Sequence, residues 1–100
     1  MSGGLLLNAV TTTTTGTSKS MIPNGGQGYS FQAAVEGVGA VAATVVIEVT
    51  NISPNWITLG TITLSGTTSA SDGFVSLAPW GAVRARVTSP TGAVTCWMVG

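Results

Sequence analysis

Glu36, Glu48, Arg84 and Arg86 carry four of the six formal charges in this chain, and they are the side chains best suited to acid–base chemistry. Two carboxylates facing one another could act as general acid and base at a glycosidic bond. Here neither glutamate has a third polar group beside it, and all four charges alternate with apolar residues. On β-strands that spacing projects them from the outward face. The pattern therefore reads as cross-strand pairing of carboxylates with guanidinium groups, worth some tenths of a kcal/mol when exposed. At a subunit boundary such pairs would set register and orientation more than affinity.

The remaining candidates for chemistry are thinner. Asp72-Gly73, after Ser69-Ala70-Ser71, offers one oxygen ligand where calcium needs several, and reads as a turn. Asn51-Ile52-Ser53 matches a glycosylation acceptor but runs into Pro54. Gly37-Val38-Gly39 opens no helix, so it forms no phosphate cradle. The chain has no histidine, which removes histidine-based triads, and one cysteine with three carboxylates makes a poor zinc site. We expect no catalytic residues, no metal, no cofactor and no enzymatic activity.

Apolar residues offer more. Trp56, Trp80 and Trp97 are three large aromatics in a small chain. They suit a core or a subunit interface, and Trp56 and Trp80 could alternatively form a stacking platform for sugar rings. Trp97 shares parity with Thr95 and Val99, opposite Cys96. Leu5-Leu6-Leu7 cannot all face one core from a regular strand. The run is either an arm docking on a neighbouring subunit or a strand buried on both faces. Leu5, Leu6, Leu7, Val10, Trp97 and Met98 are the expected contact residues. Cys96, in the apolar run Val94–Val99, reads as a buried small hydrophobe.

These residues need strands to hold them. Helical spacing of apolar residues is missing, β-branched residues abound, and Gly and Pro recur at short intervals. Leu5–Val10 is a first apolar segment, and Thr11–Thr15 an edge strand or the run into a loop. Pro23-Asn24-Gly25-Gly26 is dense turn chemistry. Tyr29–Glu36 alternates, with Tyr29, Phe31, Ala33 and Val35 inward; Gly37-Val38-Gly39 should break that strand. Ala42–Thr50 follows, then a turn over 51–55. From Trp56 to Leu64 the apolar parity shifts across Gly60, which predicts a β-bulge. Gly66–Gly73 reads as a polar loop and Phe74–Leu77 as a short strand. Ala78-Pro79-Trp80-Gly81 reads as a corner, with strands Val83–Val87 and Ala93–Val99 closing the chain.

Seven or eight short strands predict an all-β fold: one antiparallel β-sandwich or jelly-roll-like domain over residues 16–100, with residues 1–15 as an N-terminal arm or first strand. At 100 residues the chain supports one domain, which buries roughly 64% of its unfolded surface. It is 44% hydrophobic with a formal net charge of zero. Three basic residues give no nucleic-acid footprint. No stretch approaches the roughly 18 apolar residues of a membrane helix, and the first ten residues do not read as a secretory signal. Thr and Ser supply 26 residues and Gly 14, so the surface is hydroxyl-rich and nearly uncharged. Such a surface favours assembly over a solitary existence.

Several stretches carry a resemblance: Thr-Val-Val-Ile-Glu-Val-Thr-Asn from Thr44, Asn-Trp-Ile-Thr-Leu-Gly-Thr-Ile-Thr-Leu from Asn55, Asp72-Gly73-Phe74, and Ala-Pro-Trp-Gly-Ala-Val-Arg-Ala-Arg-Val from Ala78. With the opening Leu5-Leu6-Leu7-Asn8, they resemble small β-sandwich structural proteins of tailed-bacteriophage virions. The chain departs from that pattern at Ile52-Ser53-Pro54, where Asn-Asp-Gly is usual. The Asn-Trp-x-x-Leu-Gly and Pro-Trp-x-x-Val-Arg pieces also look like discoidin-type and carbohydrate-binding sandwiches. The first resemblance implies a capsid decoration or cement protein, an oligomer such as a trimer. Its partners would be itself and the major capsid protein or other virion proteins, in a virion assembled in the host cytoplasm. A tail or fibre component, or a carbohydrate-binding module, is the alternative it leaves.

Overall fold

The computed structural model describes residues 3–21, 28–52, 54–76 and 80–99. Seven antiparallel strands are present: β1 (Gly3–Val10), β2 (Thr14–Thr15), β3 (Lys19–Ser20), β4 (Tyr29–Thr50), β5 (Ile57–Ser76), β6 (Ala82–Val87) and β7 (Ala93–Val99). The all-β antiparallel expectation is met. All seven strands belong to one hydrogen-bonded sheet rather than to two separate ones, and its form is nearly that of a barrel. The expected turn at Pro23–Gly26, the end of the expected strand Phe74–Leu77 at Leu77, and the first two corner residues, Ala78 and Pro79, lie outside the described residues, as does Ser53.

The sheet has four rows. β5 pairs β4 along nearly its whole length. On the other side of β4, β6 pairs residues 45–50 and β7 pairs residues 30–36. β1 then flanks β7, while β2 and β3 flank β6. A straight strand of 22 residues would reach about 70 Å. The longest dimension of the molecule is 41 Å, so β4 and its neighbours must bend.

The bend lies where a strand break was expected. Glu36 pairs with Ser69 and Ala40 with Thr67, so residues 37–39 stand opposite the single residue Thr68. Gly39 takes φ +139° there and Thr68 takes φ +65°. The strand therefore bulges at Gly37-Val38-Gly39 instead of ending. Two surplus residues preserve side-chain parity. Odd-numbered residues face the core on both sides of the bend: Tyr29, Phe31, Ala33 and Val35 before it; Val41, Ala43, Val45, Ile47 and Val49 after it.

The stretch 66–73 is not the expected loop but the middle of β5, recruited because β4 runs on beside it and supplies partners for its backbone. The bulge expected near Gly60 is present, since Ile47 pairs with Gly60 and Glu48 with Thr58, leaving Leu59 over. Phe74 stacks on Phe31 with centroids 5.1 Å apart. A Cβ at Gly60 would lie 2.7 Å from the Phe74 ring, so the two ends of β5 face each other across the core. Val83, Ala85 and Val87 of β6 fill the interior opposite Val49, Ile47 and Val45, as their alternation with Arg84 and Arg86 predicts.

Candidate functional site

Consecutive leucines in β1 are sorted by a register irregularity. Leu5 pairs with Trp97 and Leu7 with Cys96, which leaves Leu6 as an extra residue. The bulge lets both Leu6 and Leu7 turn into the core, while Leu5 stays outside and 41% exposed. The run is thus a first strand with one outward leucine. Of the expected contact residues, Leu6, Leu7 and Met98 are buried and offer no surface in the folded chain. Val10 is half-buried against the core. Leu5 and Trp97 remain accessible.

Around them the ladders build a face. One row runs Leu5, Trp97, Gln32, Gly73; the next runs Gly3, Val99, Ser30, Val75. Trp97 is 39% exposed, Val99 52% and Val75 67%. The row beyond Trp97 adds Thr95, Ala34 and Ser71. No charged residue belongs to these three rows; exposed Glu36 bounds them in the next. The sequence pointed to Leu5 and Trp97. Val75 and Val99 were missed because only the sheet brings residues from the two ends of four rows together.

The charged cluster occupies the other half of the sheet, past the bend. Arg84 Nε donates to Glu48 Oε1 at 2.9 Å, and Arg86 Nε lies 3.4 Å from Glu48 Oε2. The Glu48 side chain is only 12% exposed. The Arg84 guanidinium also sits 4.2 Å from the Trp56 ring centroid, a cation–π contact. Thr50 prepares this arrangement. Its hydroxyl donates to Asn55 O at 2.7 Å and accepts from Ile52 N–H at 3.1 Å, tying down the turn that delivers Trp56. Glu48 is thus held by both arginines, and Glu36 stands apart on the far side of the bend. The two carboxylates do not form a catalytic pair.

Both tryptophans considered for sugar stacking are partly buried and already make contacts. Trp56 is capped by Arg84, and Trp80 packs on the core. Trp80 Nε1 is buried without a hydrogen-bond partner among the described residues. A hollow of about 280 Å³ is lined by hydroxyl side chains of Thr44, Thr63, Ser65, Thr88 and Ser89 together with Ala42, Ala43 and Leu64, and by no charged group. Cys96 is fully buried, and desolvation pushes its thiol from an ordinary 9.0 up to about 12. That makes it a packing residue rather than a nucleophile. Among the described residues no cluster of three or more metal-ligating side chains exists, and no helix is long and apolar enough to cross a membrane.

Comparisons with protein-family models, with curated proteins and with solved structures give no match.

Proposed function

We propose that this chain is a non-enzymatic structural protein of a bacteriophage virion, a decoration or cement protein bound to the capsid. The observation that carries the reading is the uncharged outer face of Leu5, Trp97, Val99 and Val75. Apolar side chains grouped on one face of a small domain mark a surface made to be covered. Burying them against shell subunits gains roughly 25 cal/mol per Å² of apolar area removed from water. Whatever binds one state of the shell stabilises that state by mass action, so a covered seam resists expansion and rupture.

The surrounding Ser, Thr and Gln side chains fit the polar rim of such a contact. The virion assignment rests on the sequence resemblance. The chain should be found in purified virions by mass spectrometry and should co-sediment with the matching empty capsids. Trp97→Lys should weaken that binding at least about tenfold, since it places a charge in the middle of the apolar face. Recovery in isolated tails and not in heads would move the protein to the tail. Undiminished capsid binding by both Trp97→Lys and Leu5→Lys would sink the assigned contact face.

A further inference from the structure

We infer that β5 is a self-association strand, whose free edge pairs antiparallel with β5 of a second copy across a two-fold axis. The two edges of the sheet are built differently. One consists of β1, β2 and β3, with 8, 2 and 2 residues. It is broken by irregularities between Leu5 and Leu7 and between Leu7 and Val10, and by Ala9 at φ +49°. Such breaks are how proteins keep foreign strands from adding to an edge.

β5 has fewer of these defences, namely one surplus residue and Thr68 at φ +65° opposite the bend of β4. It runs 20 residues, and among the described residues it pairs with β4 alone. It contains no proline and no lysine, and Asp72 is its single charge. Its surplus residue, Leu59, lies near its start, so the ladder from Gly60 onward gains no further residue on the β5 side. A long edge with a single charge, and with N–H and C=O groups unpaired among the described residues, is a template for another strand.

A second copy fits this edge. The chain has a formal net charge of zero, so copies do not repel. Asp72 lies towards one end of β5, so a two-fold axis near Gly66 keeps the two carboxylates apart. An axis normal to the sheet leaves both core faces on the same side, and the two bent sheets then curve in the same sense. About 60 Å of strand with a covered band about 10 Å wide gives roughly 600 Å² per copy, at the lower end of a standard stable interface. This inference goes beyond the virion reading and does not depend on it.

The test is sedimentation equilibrium of the purified chain beside two variants. Thr63→Lys/Thr67→Lys places charge on exposed positions of β5. Thr44→Lys places it on β4, directly opposite Thr63 and one row in from the edge. Circular dichroism checks that all three are folded. Wild type should be a dimer whose dissociation constant rises at least about tenfold in the β5 double variant and stays within about twofold in Thr44→Lys. Amides of β5 should exchange more slowly as concentration rises. A wild-type monomer at about 100 μM, or an oligomer indifferent to the β5 lysines, overturns the inference. An oligomer broken only by Trp97→Lys overturns it as well, and moves self-contact to the outer face.

Discussion

Leu5 and Trp97 stand directly opposite each other across the β1–β7 ladder, and both side chains point away from the core. Each is followed in sequence by a buried neighbour, Leu6 and Met98. A single step along either strand therefore crosses from the surface to the interior.

That step should be measurable. Met98→Ala empties a fully enclosed position and should cost about 2–5 kcal/mol. Trp97→Ala, one residue earlier, removes a ring that already meets water and should cost about 1 kcal/mol. Urea unfolding of the two variants gives both values. An equal loss would mean that Trp97 belongs to the core.

The Glu48 cluster predicts a second asymmetry. Glu48→Gln leaves Arg84 and Arg86 side by side without their shared carboxylate and should cost about 1–2 kcal/mol. Arg84→Met keeps much of the packing on Trp56 and leaves Arg86 beside Glu48, so it should cost less. Raising salt should narrow the gap between wild type and Glu48→Gln, because the Coulomb part is screened. Thermal unfolding at low and high salt would check this.

Cys96 sets a pH dependence whose sign follows from its burial. Well below pH 9 the thiol is protonated in both folded and unfolded chains and contributes no slope. Between about 9 and 12 the unfolded chain loses the proton while the native thiol keeps it, so stability falls with rising pH. The limiting slope is about 1.4 kcal/mol per pH unit. The stability difference between wild type and Cys96→Ala should be flat to pH 8.5 and then shrink. A thiol reagent should label Cys96 only after denaturant is added.

Gly92 turns the chain between β6 and β7 at φ +113°, and a Cβ there would lie 2.7 Å from Glu36 O. Gly92→Ala must strain the backbone and push against a carbonyl of β4, for about 2–3 kcal/mol of lost stability. A lower melting temperature with unchanged circular dichroism is the expected result. An unchanged melting temperature would contradict this geometry.

Where a segment alternates, its sequence was enough to orient it. Tyr29–Val35, Val45–Val49 and Val83–Val87 face the way their parity requires, and Glu48 meets Arg84 as outward positions on neighbouring strands should. The parity shift near Gly60 located the surplus residue of β5 to within one position. Glycine misled where it stood for bending. Gly37 and Gly39 read as an end of strand, and Gly66–Gly73 as loop, because local composition cannot show that two long strands hold each other extended. The outer face was half legible for a related reason. Leu5 and Trp97 are conspicuous one at a time, but Val75 and Val99 join them only through register. Two buried leucines in succession could not be read from spacing, since the bulge that permits them is a property of the pair of strands.

The surplus at residues 37–39 also governs how this gene can drift in length. Loss or gain of one residue there would exchange the inside and outside of everything from Val41 to Thr50, while a change of two would leave every side chain on its own face. Val38, at the tip, is fully exposed and touches nothing that must be kept. Insertions and deletions at this point should therefore be tolerated in even steps, which makes it the natural position for splicing in a foreign peptide.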